Sequence, residues 1–374
     1  MKIAYVHDRI VFEWWGESAL RMLMRRRGSE DASVFVLYST RRSFQIDERQ
    51  IPIVTALPHW INQLFARWAS SRWFFHRLFD YRNLMPFYPV LCRLLRQKIL
   101  RHHPEQVIIS SFAAVKNIVP TKKSFPHPTI LYLHSPMQYI RENYDEYLKK
   151  LSGSKKRLFI HTARRLRPRD SAPRTYEMIY TNSQYTANCV KDIYHISATV
   201  RYPTLDPAYF RQRKLAREPR PYLVYVGRLV RFIREVDLII QLINQTGIPL
   251  LVIWSGPDED YLRSLGDEHI IFLWQVDDID TKIDIVGHAR GSLNLAKESC
   301  GIATMESLAL WVPVFAFDGG GSVELIDKKN GVRVWTKDLH SLIPALEKFY
   351  HTDRDRQAIA DAFHTFYERS TSTR

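Results

Sequence analysis

The sequence predicts an α/β protein with two Rossmann-like halves, each a parallel sheet covered by helices on both faces, and a cleft between them. Short apolar runs alternate with helical stretches, and the runs are too apolar for a sheet with one wet face. The length of 374 residues accommodates more than one domain. Charge divides the chain as well. Residues 1–215 hold 36 Lys and Arg against 16 Asp and Glu, whereas residues 216–374 hold 18 against 23.

The second half shows the alternation clearly. Its apolar runs are rich in β-branched and aromatic residues, which favours buried strands. The predicted strands are 222–226, 249–254, 269–273, 291–295 and 312–317. The predicted helices between them are 236–243, 258–265 and 303–310.

The first half repeats this rhythm less regularly. Its predicted strands are 2–7, 33–38, 106–110, 129–133 and 178–181. The segment 58–103 is predicted to be helical and is rich in aromatic and basic residues. Charge and proline indicate a linker near residue 210. We expect a first domain over 1–205, a linker over 206–221, a second domain over 222–350 and a C-terminal helix over 351–374 that can cross back to the first domain.

Composition narrows the class of protein. The three cysteines, Cys92, Cys189 and Cys300, are far apart, which excludes a disulfide framework and fits a reducing cytosol. No apolar stretch approaches the roughly 18 residues of a spanning helix, and charge follows Met1 too soon for a signal peptide. The sequence predicts a cytoplasmic protein, with a peripheral position on the inner face of the membrane left open.

The pattern that carries most chemistry is a pair of glutamates, Glu298 and Glu306, on either side of Gly301. Gly301 opens a predicted helix, and free N–H groups at a helix start suit a phosphate. Carboxylates accept hydrogen bonds from sugar hydroxyls, so the combination suits a nucleotide sugar. A surface glutamate and a helix-start acid give the same spacing, so the spacing alone leaves both interpretations open.

The stretch from Glu298 to Glu306 resembles the E-x7-E motif of retaining glycosyltransferases of family 4. Other segments resemble the same family in chain order, from residue 1 to about 330, and those in the first half are similar to its mannosyltransferase-like members. They are Leu133-His-Ser-Pro-Met-Gln-Tyr139, Thr181-Asn-Ser183, the run from Tyr202 to Phe210, Tyr225-Val-Gly-Arg-Leu229, Ile253-Trp-Ser-Gly-Pro257 and the run from Ala309 to Glu324. Several motifs in order are more specific than any single motif.

This resemblance implies the GT-B fold, with an acceptor on the first domain and a nucleotide sugar on the second. It also implies retention and catalysis without a metal ion or cofactor. By matching position, Glu298 is expected to hold donor-sugar hydroxyls, Glu306 the ribose and Arg228 the diphosphate. The acceptor-side residue expected near the reacting centre is His134, which joins Glu298 and Arg228 as a candidate catalytic residue. The other expected donor contacts are Gly16, Arg234, Gly256, Gly301 and Ile302.

The chain departs from the family pattern at three places. Ile233 occupies the position of a diphosphate-binding lysine, which Arg231 or Arg234 would have to replace. A small residue after the third strand of the second half has become Trp274. Of a glycine pair near the N-terminus only Gly16 remains. These three departures affect which donor is expected and how fast the sugar transfer is expected to be.

Other patterns suggest weaker hypotheses. Two D-x-D stretches, 258–260 and 278–280, lie at predicted helix starts, where acids complement the helix dipole, so we interpret them as caps rather than metal sites. The segment 58–103 suits either a surface that rests on an anionic membrane or a helical pair with core aromatics and solvated arginines. Nucleic acid is disfavoured because no nucleic-acid-binding motif is present.

The hypothesis from sequence is a glycosyltransferase that moves a hexose, with mannose from GDP-mannose as the leading choice. The acceptor would be a glycan or a lipid-linked sugar in cell-surface polysaccharide synthesis. Two alternatives remain: a GT-B nucleotide-sugar epimerase, and a non-catalytic GT-B relative that acts as a scaffold.

Overall fold

A computed structural model describes residues 1–11, 15–27, 31–70, 86–119, 121, 125–137, 140–141, 144–170, 172–211, 218–231, 233–256, 258–274, 276 and 278–371. The chain divides into two compact units, Met1–Arg201 and Tyr202–Arg374. Each unit has its own sheet and its own hydrophobic core. The α/β class with parallel sheets is therefore confirmed.

The first unit is built on an eight-stranded sheet. Its strands are β1 (Lys2–Ile10), β2 (Asp31–Ser39), β3 (Ser43–Ile46), β4 (Arg49–Thr55), β5 (Gln106–Ser111), β6 (Thr129–Leu133), β7 (Met178–Thr181) and β8 (Thr199–Val200). The spatial order is β3-β4-β2-β1-β5-β6-β7-β8. Every neighbouring pair is parallel except β3 and β4, which form an antiparallel pair.

Side chains of β1 alternate between two cores because successive residues of a strand point to opposite faces. Ala4 and Val6 enter one core, whereas Ile3 and Tyr5 enter the other. The helices of this unit are α1 (Trp15–Arg27), α2 (His59–Ser70), α3 (Tyr88–His102), α4 (Tyr144–Lys150), α5 (Gly153–Leu166) and α6 (Gln184–Tyr194). Burial on both faces explains why the strands are almost uniformly apolar.

The second unit has a six-stranded, fully parallel sheet. Its strands are β9 (Arg220–Val226), β10 (Leu250–Ile253), β11 (Ile270–Leu273), β12 (Ala289–Asn294), β13 (Val314–Phe317) and β14 (Gly331–Val334). Its helices are α7 (Val236–Thr246), α8 (Glu259–Arg263), α9 (Ile279–Gly287), α10 (Ile302–Ala309), α11 (Leu339–His351) and α12 (Arg356–Thr371). The order β11-β10-β9-β12-β13-β14 is the Rossmann order, which reverses between β9 and β12.

The predicted strands are all present, with ends shifted by a few residues. Four strands were not predicted: β3 and β4, which form the hairpin at one edge of the first sheet, β8 at its other edge, and β14. The predicted C-terminal segment contains α12, which packs against α10 within the second unit. Within the described residues, no helix combines the length and apolar character that crossing a membrane requires.

Candidate functional site

The point where strand order reverses in the second unit lies between β9 and β12. In open α/β sheets, ligands bind outside the carboxyl ends of the strands at such a point. The loop after β9 contains Arg228 and Arg234, and the loop after β12 contains Glu298. The topology therefore brings together residues that lie far apart in sequence.

Glu298 lies in the loop beyond β12, four residues after the strand ends at Asn294. Its backbone forms a parallel bridge with Gly320, and the N–H of Gly321 donates to the Glu298 carbonyl at 2.7 Å. Gly320 has a φ of 87°, and a Cβ there would lie 2.3 Å from that carbonyl oxygen. Only glycine fits this approach, so the glycine run after β13 fixes the position of Glu298.

The carboxylate of Glu298 has two identified partners. Arg234 forms an ion pair with Oε1. Asn294 Nδ2 donates to Oε2 at 3.2 Å and to Thr304 Oγ1 at 3.0 Å. Asn294 was not predicted as a site residue, although a polar side chain that ends a buried strand was a usable signal. The carboxylate is thus oriented by one cation and one amide.

The positive charges of Arg228 and Arg234 both affect the pKa of the buried Tyr225 hydroxyl. Burial raises the pKa of Tyr225 to about 12, and the positive charges of Arg234 and Arg228 oppose that shift. Arg231 has a different environment, because its guanidinium carbon lies 3.6 Å from the centre of the Tyr261 ring. Of the two arginines considered as lysine replacements, Arg234 is the one that contacts Glu298.

Gly256 lies where the loop after β10 crosses the loop after β9. A Cβ at Gly256 would lie 2.3 Å from the carbonyl oxygen of Leu229, so a larger residue would push the two loops apart. This contact gives Gly256 a structural role beside Arg228. Its predicted contact with the donor stays a prediction, and Pro257 lies outside the described residues.

Gly301 begins α10, as predicted. It has a φ of 79°, which suits glycine, and a Cβ there would lie 2.7 Å from Ser322 Cβ. Its carbonyl accepts from Met305 N–H at 3.0 Å, which starts the helix. The first N–H groups of α10, beginning with Ile302, have no partner within the helix and carry its positive dipole end. This end suits an anion.

Glu306 is buried on α10, with 6% of its surface exposed. Lys282 Nζ donates to its Oε2 at 2.8 Å, and Tyr209 forms a hydrogen bond with the same carboxylate. Burial, reinforced by the negative charge of Glu306, raises the pKa of Tyr209 far above its usual value. Glu298 lies outside this helix, which begins at Ile302. Lys282 and Tyr209 were not predicted, since neither lies near Glu306 in sequence.

His134, in the first unit, follows the carboxyl end of β6. Its Nε2 lies 2.8 Å from Ser110 Oγ, which in turn lies 3.0 Å from His7 Nδ1. Burial, together with the charge of His7, lowers the pKa of His134 to about 3. Burial also lowers the pKa of His7 to about 4. Both imidazoles are therefore neutral at pH 7 and are linked through one hydroxyl.

Asp8 holds the loop that follows β5. Its carboxylate accepts from the Ser111 hydroxyl and from four consecutive backbone N–H groups, Phe112, Ala113, Ala114 and Val115, at 2.6–3.1 Å. Burial acts to raise the pKa of Asp8, but these bonds and His7 lower it overall. Gly16 lies beside the same cluster, since a Cβ there would lie 3.3 Å from His7 Nε2. Gly16 thus belongs with the histidines of the first unit.

The capping interpretation agrees with the structure for the stretch 278–280 but only in position for 258–260. Asp278 precedes α9 and accepts from the Thr281 N–H at 2.8 Å. Asp258 occupies the N-cap position of α8, but its carboxylate forms no cap hydrogen bond with that helix and instead accepts from the Arg231 N–H, in the loop after β9, at 2.8 Å. Trp274 is 73% exposed, and the guanidinium carbon of Arg263 lies 5.1 Å from its ring centre.

Comparison with known proteins agrees with this architecture. Residues 208–363, which lie within the second unit, match the family described as Glycosyl transferases group 1. No curated protein matches the sequence significantly. The chain is similar to the solved structure of Anabaena Alr3699/HepE in complex with UDP and glucose, at 15% identity and a TM-score of 0.67. That alignment covers 99% of this chain and 95% of the other.

Two further structures show the same likeness. WaaG, a glycosyltransferase involved in lipopolysaccharide biosynthesis, is 13% identical with a TM-score of 0.63, over 100% of this chain and 95% of that one. The lipopolysaccharide outer core galactosyltransferase WaaB is 13% identical with a TM-score of 0.62, over 99% and 97%. At such identities the likeness establishes the fold, and the predicted GT-B fold is confirmed.

Proposed function

Because residues 208–363 match the group 1 glycosyltransferase family, we propose that this chain is a retaining, metal-independent glycosyltransferase. It moves a hexose from a nucleoside diphosphate sugar to a glycan or lipid-linked acceptor in cell-surface polysaccharide synthesis. The observation that carries the proposal is the cluster of Glu298, Arg234 and Arg228 at the point where the strand order reverses.

The two arginines would act on the diphosphate. A departing nucleoside diphosphate develops negative charge, and preorganised guanidinium and N–H groups stabilise it in the transition state. Arg234 would exchange its ion pair with Glu298 for the phosphate oxygens. Glu298, still held by Asn294, would then accept hydrogen bonds from hydroxyls of the donor sugar. Donor binding would thereby switch the partner of Glu298.

On the acceptor side, we assign His134 a polar but uncharged role. Its lowered pKa keeps the imidazole neutral at pH 7, so it offers a hydrogen bond rather than a positive charge. The contact with Ser110 fixes the orientation of the ring.

The donor remains a choice between two nucleotide classes. The sequence motifs favour GDP-mannose, whereas one structural relative was solved in complex with UDP-glucose. A thermal-shift panel of GDP, UDP, ADP and dTDP sugars, with Mg²⁺ or with EDTA, tests both. A donor at about 100 times its Kd adds roughly 2.7 kcal/mol of stability, so one nucleotide class should raise the melting temperature without metal.

Variants test whether the change in melting temperature arises from donor binding at this site. Arg228→Ala and Glu298→Gln should reduce the shift, whereas the exposed controls Arg220→Ala and Glu347→Gln, both in the second unit, should keep it. Product analysis then tests retention. Binding without transfer to any acceptor would favour the scaffold, and conversion of the donor alone would favour the epimerase. The absence of any shift would overturn the proposal.

A peripheral position on the membrane is supported by α2. Trp60 is 67% exposed, and Leu64 lies one turn further along the same face, so Trp60 is not a core residue. The side chains of the other aromatic residues between 65 and 79 lie outside the described residues. Co-sedimentation with anionic vesicles that high salt reverses should be lost in Trp60→Glu. No sedimentation of the wild type at low salt would refute it.

A further inference from the structure

We propose that the first unit contains a second binding site, for a phosphate or diphosphate ester that carries an apolar group. A cavity of about 320 Å³ opens between α3, the segment after β5 and the end of α5. Three of its lining residues are arginines, Arg93, Arg96 and Arg169, and none of the described residues that line it is acidic. The cavity is large enough for a small organic ligand.

Among the residues that the structure describes, no acidic side chain lines this cavity to balance its arginines. Arg93 and Arg96 lie three positions apart on α3, so they are neighbours on one face and repel each other. Neither guanidinium has a hydrogen bond or ion pair within the part of the chain that the structure describes. Arg169, on the other side, donates to the carbonyl of Arg165 at 3.0 Å. A bound anion would relieve this repulsion.

The carboxylate nearest in sequence is already engaged. Asp170 follows Arg169 but is buried, with 1% of its surface exposed. It lies 3.0 Å from Lys116 Nζ and 3.3 Å from Arg141 Nε, and it accepts from the Tyr194 hydroxyl at 2.9 Å. With two cations and a hydroxyl around it, Asp170 does not neutralise the arginines of the cavity.

The other walls of the cavity are apolar. Ile118, Met137 and Leu166 line it, and all three are buried side chains. Cys92 also lines it, and burial, with the nearby Asp8, raises the pKa of its thiol to about 12. A protonated thiol behaves as a small hydrophobic group. A ligand that fits both the arginines and the apolar walls of the cavity has an anionic head and an apolar body.

The cavity adjoins the polar cluster of the first unit. Ala114 lines it, and the N–H of Ala114 donates to Asp8 at 2.6 Å. Met137 lies three residues after His134. Identifying this ligand as the acceptor rests on the proposed function, whereas the binding site itself does not.

The test compares three probes by isothermal titration calorimetry on the full chain. Farnesyl diphosphate has both features, inorganic pyrophosphate has only the charge, and glucose 1-phosphate represents a phosphorylated sugar. Farnesyl diphosphate should bind at least about tenfold more tightly than the others, because it also buries apolar surface. In Arg93→Gln/Arg96→Gln its affinity should fall by at least about tenfold, since charge-assisted hydrogen bonds are lost.

The matched control is Arg101→Gln/Arg157→Gln, which removes the same charge from exposed positions of α3 and α5. Equal losses in the two double variants would overturn the site, as would unchanged affinity in Arg93→Gln/Arg96→Gln. If glucose 1-phosphate bound as tightly as farnesyl diphosphate, the proposal that the ligand carries an apolar group would be overturned. Nucleotide-sugar binding should be unaffected by Arg93→Gln/Arg96→Gln. If the wild type bound no nucleotide sugar, the proposed function would be refuted, whereas the result for the cavity would stand.

Discussion

Lys282→Met tests whether the buried pair with Glu306 stabilises the second unit. The two charges lie 2.8 Å apart, and their side chains are only 9% and 8% exposed. At an effective dielectric constant of about 20, their attraction is about 6 kcal/mol, and desolvation of both groups offsets much of it. Methionine keeps the apolar stem but leaves Glu306 with Tyr209 and no cation. We expect the free energy of unfolding to fall by about 3–5 kcal/mol.

Equilibrium urea denaturation followed by tryptophan fluorescence measures this change, because Trp254 and Trp311 belong to the second unit. In Lys282→Met/Glu306→Gln most of the loss should be recovered, since a neutral amide can still bond to Tyr209. The exposed control Lys328→Met should change stability by less than about 0.5 kcal/mol. A loss below about 1 kcal/mol in Lys282→Met, or a double variant no better than the single one, would refute the reasoning.

Three further predictions concern the sites. Glu298→Gln should lower kcat by about 100-fold or more through lost transition-state contacts, with little change in melting temperature, as measured by donor turnover. Gly301→Ala should cost about 1–3 kcal/mol in urea denaturation, because φ is 79° and its Cβ would lie 2.7 Å from Ser322 Cβ. His7 and His134 have lowered folded-state pKa values, about 4 and about 3. The unfolded chain therefore takes up protons first, and stability should fall as the pH drops from about 6.5 towards 4.

Each of these three predictions would be contradicted by a specific result. Wild-type turnover in Glu298→Gln would remove this residue from the donor site. An unchanged urea midpoint in Gly301→Ala would show that the positive φ is not required. For the histidines, His134→Gln should show a shallower pH dependence than the wild type between pH 6.5 and 4, and identical slopes would contradict the assigned burial.

The sequence predicted the interior of the fold better than its edges. The strand β6 in the interior of the first sheet is buried along its whole length because helices cover both faces of the sheet. The edge hairpin was missed because Pro52 interrupts β4, and proline argues against a strand. The strand β14 was missed because its four residues, Gly331–Val334, include a glycine and an arginine.

The alternation of the inner strands with helices and the glycine that begins α10 could be predicted from the sequence alone. These follow from apolar periodicity and from the conformations that glycine alone adopts readily. The choice of the arginine that contacts Glu298, and the positions of Lys282 and Tyr209 beside Glu306, became visible only in the folded chain. Those contacts join residues 24 to 97 positions apart. Parallel strands bring distant loops to one edge of the sheet, and no local pattern records which side chains meet there.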